Sequence, residues 1–71
     1  MKLNKQEQTV IIGNLINIVI GLETVKQHIE PKKLEKAISL YNELNDDMTP
    51  KQCRESLISV LDKTIDEFLK Q

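Results

Sequence analysis

The stretch VIIGNLINIVIGLETV, residues 10–25, is the most apolar part of the chain, and no charged side chain occurs from Gln8 to Leu22. A membrane-spanning helix needs about 20 apolar residues, with roughly 17 as the lower limit. This run is shorter, and two glycines and two asparagines interrupt it. No small-residue cleavage site follows it, as one would in an export signal. We therefore expect a buried helix, and neither a membrane span nor a secretory signal.

On a helical wheel at about 100° per residue, the stretch presents two apolar rows. The first is a continuous stripe that predicts a core-facing surface. It consists of Ile11, Leu15, Ile18, Leu22, Val25 and Ile29, flanked by Val19. The second, the isoleucine row, consists of Ile12, Ile16 and Ile20. Because a surface helix of a small protein needs an apolar stripe only about 100° wide, the isoleucine row is a surplus.

Capping residues predict where the helices begin and end. Asn4 and Glu7 resemble a capping box, so the first helix should run from about residue 5 to residue 30. Pro31 disfavours helical geometry before it and suits a first helical position, so a second helix should cover about 31–45. Thr49 and Gln52 form a further capping box, which predicts a third helix over about 50–69.

The second and third helices each carry one apolar face. On the second helix the face is Leu34, Ala37, Ile38, Tyr41 and Leu44, and on the third it is Cys53, Leu57, Leu61, Ile65 and Phe68, widened by Ile58. Three helices with short connections predict an all-α, three-helix up-down-up bundle, with residues 1–71 as one domain. Those two faces would cover the first stripe and leave the isoleucine row bare. We therefore expect dimerisation through helix 1 to complete the fold, while a break of that helix near Gly21 stays open.

Small residues on helix 1 suggest how two copies would meet. Gly13, Asn17 and Gly21 are spaced by four and share a face, which would let another backbone approach closely. The alternative is that they pack against the other helices of the same chain. A buried Asn14 or Asn17 would fix the register of a pair, as a core asparagine does in coiled coils. The predicted protein-binding or dimer interface is Ile12, Gly13, Ile16, Asn17, Ile20 and Gly21.

Composition excludes several classes of function. The 71 residues include one cysteine and one histidine, so an internal disulfide is impossible and a His/Cys zinc site is not expected. The net charge of −1 and the two aromatic residues disfavour direct nucleic-acid binding. A single thiol suits a reducing, cytoplasmic location. Glu43, Asp46 and Asp47 form an acidic patch that could face a basic partner.

The reactive residue types do not form a recognisable catalytic set. Asp46 and Asp47 lack the glycine and the distant glutamate of a calcium-binding loop. His28 lies within helical reach of Glu23, but no nucleophile or oxyanion donor accompanies them. Cys53 falls on an apolar stripe, where a thiol is usually inert. We expect neither an enzyme nor a bound cofactor or metal.

A binding function is what remains. In its short length and low cysteine content the chain resembles the small helical inhibitor, antirepressor and immunity proteins of bacteria and phages. That resemblance implies a regulator that binds one other protein. We expect a homodimeric, non-enzymatic regulator of the inhibitor, antirepressor or adaptor type. The alternative is an immunity-type or peripheral membrane-associated helical protein, which is less favoured because helix 1 has few lysines and arginines on its polar side.

Overall fold

The computed structural model describes residues 2–70, and this part of the chain contains helices and no strand. The elements in order are α1 (Lys5–Asn14), a π-helical segment (Leu15–Ile20), α2 (Leu22–His28), α3 (Pro31–Asp46) and α4 (Pro50–Leu69). The predicted all-α class is confirmed. The predicted starts at residues 5, 31 and 50 agree with the structure, as does the end at residue 69.

Both predicted capping boxes are formed. The Glu7 backbone N–H donates to Asn4 Oδ1 over 2.8 Å, and the Asn4 backbone N–H donates to Glu7 Oε1 over 2.9 Å. At the start of α4, the Gln52 N–H donates to Thr49 Oγ1 over 3.1 Å and the Thr49 N–H donates to Gln52 Oε1 over 2.9 Å. Each box satisfies two N–H groups that a helix start otherwise leaves without a partner.

The first predicted helix is broken, which corrects the prediction of one continuous helix over residues 5–30. Gly21 adopts φ +92° and ψ 138°, a backbone conformation that residues other than glycine rarely adopt. The axis of α2 is bent by 103° from that of the Lys5–Ile20 helix at this point. The four-helix arrangement that the sequence left open is therefore the one found.

Side chains that bind the helix backbone precede the π-helical segment. Asn14 Nδ2 donates to the carbonyl of Val10 over 2.7 Å, and Thr9 Oγ1 donates to the carbonyl of Lys5 over 2.7 Å. Such bonds compete with the regular backbone pattern and often bend helices. Asn14 is the last residue of α1, so its amide acts at the point where the helix widens.

The predicted up-down-up bundle is replaced by a more open arrangement. The Lys5–Ile20 helix contacts both α3 and α4, and no comparable contact joins α3 to α4 within residues 2–70. The Cα radius of gyration is 13.2 Å, against about 11 Å expected for a compact chain of this length. Among residues 2–70, the buried apolar side chains are Val10 of α1, Val25 of α2 and Leu34 of α3.

Helix α3 packs as predicted. Leu34 is buried, and the other members of its apolar face are half-buried. Those members are Ala37, Ile38, Tyr41 and Leu44. Leu40 lies outside this face and is exposed, as an isolated surface leucine commonly is.

Two other predicted core faces are wrong. Of the first stripe on helix 1, Val25 is buried and Ile11 half-buried, whereas Ile18 has 76% of its surface exposed. On α4 the predicted core stripe is exposed except at Cys53, which is half-buried. The residues of α4 that are buried or half-buried on its opposite side are Ser56, Ser59, Val60 and Lys63. Helix α4 therefore docks on α1 through its more polar side.

The surface area of the chain is large for its mass. A compact monomer of 8.2 kDa should expose about 4,500 Å². The structure exposes 5731 Å², a surplus of about 1,200 Å² over that expectation. The surplus follows from the open packing, since α3 and α4 do not cover one another.

Candidate protein-binding surfaces

The outer side of α4 is an exposed apolar face. We call it the α4 stripe, and it consists of Leu57, Ile58, Leu61, Ile65, Phe68 and Leu69, all exposed. Phe68 retains 71% of its surface and Ile65 retains 45%. At 100° per residue these six positions span about 120°, which is the width of an ordinary core-facing stripe. No other helix in residues 2–70 buries the α4 stripe.

The spacing inside the α4 stripe is that of a coiled-coil seam. Ile58, Leu61, Ile65 and Phe68 follow one another at three, four and three residues, which places them at positions a, d, a and d of two heptads. Such a seam faces a second helix and inserts its side chains into the partner's holes. The geometry of α4 therefore suits contact with another helix.

A second exposed apolar surface lies at the bend. We call it the elbow, and it consists of Ile18, Val19 and Leu22 on either side of Gly21. Ile18 and Val19 retain 76% and 69% of their surface, and Leu22 retains 37%. The sequence assigned all three to the core, because a straight helix would have placed them there.

The isoleucine row lies on the inner side of the bend. Ile12 and Ile16 are half-buried, and Ile20 is exposed. The three line a groove of about 330 Å³ that α2 and α3 complete with Val25 and Leu34. The row thus meets helices of its own chain across a groove, whereas the sequence left it bare on the outside.

The small residues of the predicted interface have roles within the chain. A Cβ atom on Gly13 would stand 2.5 Å from Cε1 of Tyr41, so α3 occupies the space that the glycine leaves. A Cβ atom on Gly21 would meet nothing within 4 Å, so Gly21 serves the backbone conformation of the bend. Asn17 is exposed on the π-helical segment. The intrachain alternative therefore accounts for Gly13, and the close approach of two backbones is not needed to explain either glycine.

The acidic patch lies where α3 ends. Asp46 is the last residue of α3, Asp47 follows it as the capping residue, and Glu43 is one turn earlier. All three are exposed. Negative charges at a helix C-terminus are unfavourable, by about 0.3–1 kcal/mol each, because the helix dipole is negative there. The acidic patch therefore slightly destabilises the end of α3. Its exposed carboxylates could contact basic groups of a partner.

The main polar contact between α1 and α4 is centred on Glu7, which has 1% of its surface exposed. Lys63 Nζ donates to Glu7 Oε1 over 2.7 Å, and Ser59 Oγ donates to Glu7 Oε2 over 2.6 Å. Lys63 Nζ also donates to the carbonyl of Lys2 over 3.1 Å. With the capping bond from Asn4, both carboxylate oxygens of Glu7 have partners.

These bonds change the acidity of Glu7. The hydrogen bonds from Lys63, Ser59 and the Asn4 backbone lower the pKa of Glu7 from 4.5 to about 2, with the Lys63 bond contributing most and burial opposing the change. A carboxylate held in this way is a structural anion.

The groups considered for catalysis lie on two helices, with Glu23 and His28 on α2 and Cys53 on α4. Glu23 pairs with Lys26 at 3.7 Å, and His28 lines the apolar groove. Cys53 is a half-buried free thiol. Among residues 2–70, no group of three or more His, Cys, Asp or Glu side chains is placed to hold a metal ion.

A helix that crosses a membrane must be both long and apolar. None of the individual helices described meets both requirements. The Lys5–Ile20 and Leu22–His28 helices meet them only when taken together, across the bend.

Comparisons with protein-family models, with curated proteins and with solved structures found no match for this chain.

The sequence missed two features of these surfaces. The sequence predicts an apolar face that contains every residue of the α4 stripe except Leu69, but it assigns that face to the core of a closed three-helix bundle. It predicts Glu7 only as part of a capping box. The one available signal was that Ser59 and Lys63 lie four residues apart and share a polar face, on which a carboxylate would fit.

Proposed function

We propose that this protein is a small non-enzymatic regulator that acts by binding another protein through its helical surfaces, and that it does so as a homodimer. The observation that carries the proposal is the surplus of about 1,200 Å² of accessible surface over a compact monomer of the same mass. A standard protein–protein interface buries about 800 Å² on each partner. The surplus is therefore large enough to supply one interface and part of another.

The chemistry of the exposed surface supports the same proposal. Fully burying one large apolar side chain stabilises by about 1.5–3 kcal/mol. The α4 stripe alone has six such side chains, against a total stability of about 5–15 kcal/mol for an ordinary domain. Large apolar patches of this kind mark interaction sites in soluble proteins.

The partner protein would be met at the inner and outer sides of the bend. The groove lined by the isoleucine row could accept an apolar side chain or helix edge, and the elbow offers Ile18 and Val19 beside it. Gly13 drops out of the predicted contact set because Tyr41 covers it. The acidic patch would meet basic groups of the same partner, as in an antirepressor that occupies a DNA-binding surface.

Sedimentation equilibrium between about 1 and 200 micromolar tests the homodimer. We expect a mass of two chains over most of this range. For the partner, tagged wild-type protein and the Ile18→Glu variant would be used to capture proteins from the native host. A partner of the elbow should be retained by the wild type and by Leu40→Glu, a leucine-to-acid control at an exposed site on α3, and lost with Ile18→Glu.

A second function is favoured by the elbow itself. The bent helix pair has the length and apolarity of a membrane segment, and its apex exposes Ile18, Val19 and Leu22. A peripheral membrane or immunity-type protein could insert this apex into a bilayer surface or against a membrane protein. Flotation with anionic and neutral liposomes distinguishes the bilayer role. Co-flotation that Ile18→Glu abolishes would favour the membrane, and protein left at the bottom of the gradient would favour the protein-binding regulator.

A further inference from the structure

We infer that the α4 stripe is the dimer interface, and that it pairs with the α4 stripe of a second copy of this chain across a two-fold axis. This inference rests on the proposed homodimer and places its contact on α4, away from the isoleucine row. It leaves the groove and the elbow open for the partner protein.

The residue types in the seam indicate a second copy of the same helix. Ile58 and Ile65 occupy the a positions, and Leu61 occupies the first d position. β-Branched residues at a combined with leucine at d favour two-stranded coiled coils over higher assemblies. A two-fold pair requires a surface that is complementary to itself, and a seam of this pattern meets that requirement.

The positions beside the seam also suit self-pairing. The e and g positions that flank the seam are Leu57, which is g of the preceding heptad, and Asp62, Thr64 and Leu69. Only one of the four carries a charge, so two copies would bury a largely apolar strip without opposing two rows of like charge. A partner chosen by charge would instead need a charged row at these positions, since e and g charges set partner choice in coiled coils.

The area allows a dimer of standard size. The surplus of about 1,200 Å² per chain exceeds the roughly 800 Å² that each partner buries in a standard interface. The dimer contact can therefore form without covering the groove and the elbow. The docking of α4 on α1 through its polar side also fits, because it turns the apolar side outward, where a second copy can reach it.

The test compares two variants with equal exposure at the substituted site. Ile65 in the stripe and Leu40 on α3 each expose 45% of their surface. Ile65→Glu should raise the dimer dissociation constant by roughly 100-fold or more, the size of effect seen at interface hot spots. Leu40→Glu should leave it unchanged. Sedimentation equilibrium of both variants and the wild type, with circular dichroism to confirm equal helix content, gives the answer.

The possible outcomes separate the inference from the proposed function. A wild-type dimer, a monomeric Ile65→Glu and a dimeric Leu40→Glu would support the inference. A wild-type dimer that Ile65→Glu leaves intact would overturn the inference while the proposed homodimer stands. A wild-type monomer throughout the concentration range would overturn both.

Disulfide trapping provides a measurement that holds even if Ile65→Glu does not fold. The chain has one native cysteine, so Cys53→Ser removes the background. In that background, Ile58→Cys and Phe68→Cys chains are oxidised separately and as a mixture. Crosslinks within each separate sample indicate a parallel pair, and crosslinks only in the mixture indicate an antiparallel pair. Monomers in all three samples would overturn the inference.

Discussion

Helices α3 and α4 have similar amphipathic patterns and pack on the same central helix, yet they pack in opposite ways. Helix α3 turns its apolar face inward, with Leu34 buried and Tyr41 covering Gly13. Helix α4 turns its serines and Lys63 inward and its apolar stripe outward. The Glu7 carboxylate, held by Ser59 and Lys63, provides the polar anchor for this docking.

The difference shows what an amphipathic pattern does and does not specify. Periodicity identifies the face of a helix that is to be removed from water, because apolar surface is costly to hydrate. It does not identify what removes it. For α3 the answer is the chain itself, and for α4 we infer that it is a second copy.

The largest expected effect comes from removing a buried side chain of α3. Leu34→Ala should lower the free energy of unfolding by about 2–5 kcal/mol, because Leu34 has only 7% of its surface exposed and its removal leaves a cavity. Ile65→Ala on α4 should act differently. Its loss of stability should occur only at concentrations where the dimer forms, since the side chain is exposed in a single chain.

Urea unfolding at about 1 and 100 micromolar, followed by circular dichroism, checks this contrast. The loss caused by Leu34→Ala should be the same at both concentrations. The wild-type unfolding midpoint should rise between the two concentrations because dimerisation is linked to folding, and Ile65→Ala should reduce that rise while Leu34→Ala keeps it. An Ile65→Ala midpoint that rises as much as that of the wild type would contradict the placing of the α4 stripe in the dimer.

The bend at Gly21 is expected to give the next largest effect. Gly21→Ala should destabilise by about 1–3 kcal/mol, since φ +92° is unfavourable for an L-residue although space is available. Gln27→Ala, at an exposed site on α2, is the control for an alanine substitution that leaves the bend untouched. Thermal unfolding should show a loss for Gly21→Ala and none for Gln27→Ala. An undiminished stability of Gly21→Ala would mean that the fold does not depend on the positive φ at the bend.

The contact between Gly13 and Tyr41 should have a smaller effect. A methyl group on Gly13 would overlap the Tyr41 ring, at a cost of about 1–3 kcal/mol that the better helix propensity of alanine partly offsets. Gly13→Ala should therefore destabilise by about 1–2 kcal/mol net. In the Tyr41→Leu background the same substitution should be neutral or favourable. A double-mutant cycle with no coupling would show that the two residues do not touch.

Local signals predicted the helix termini well, while the long-range arrangement could not be derived from them. Capping boxes and Pro31 act within a few residues, so their consequences can be read directly from the sequence. The helical wheel failed after Asn14 because it assumes a straight helix of constant pitch, and Gly21 could equally have been a packing residue. The position of α4 depends on the Glu7 to Lys63 contact across 56 residues, and no local pattern encodes such a pairing.

The smallest expected effect is the pH dependence of stability, which tests the polar contact between Glu7 and α4. Because the pKa of Glu7 is lowered from 4.5 to about 2, its ionised form stabilises the fold fully above about pH 4.5, and this stabilisation is lost as the pH falls towards 2. The effect should be modest because Lys63 is only half-buried and remains partly hydrated if the bond is lost.

Urea midpoints at pH 7, 4 and 3 should fall more steeply for the wild type than for Glu7→Gln, which has no charge to lose. Glu55→Gln, at an exposed acid on α4, is the matched control and should follow the wild type. Parallel curves for the wild type and Glu7→Gln would mean that the carboxylate does not anchor α4, and the reason for its polar-side docking would have to be sought in the second copy alone.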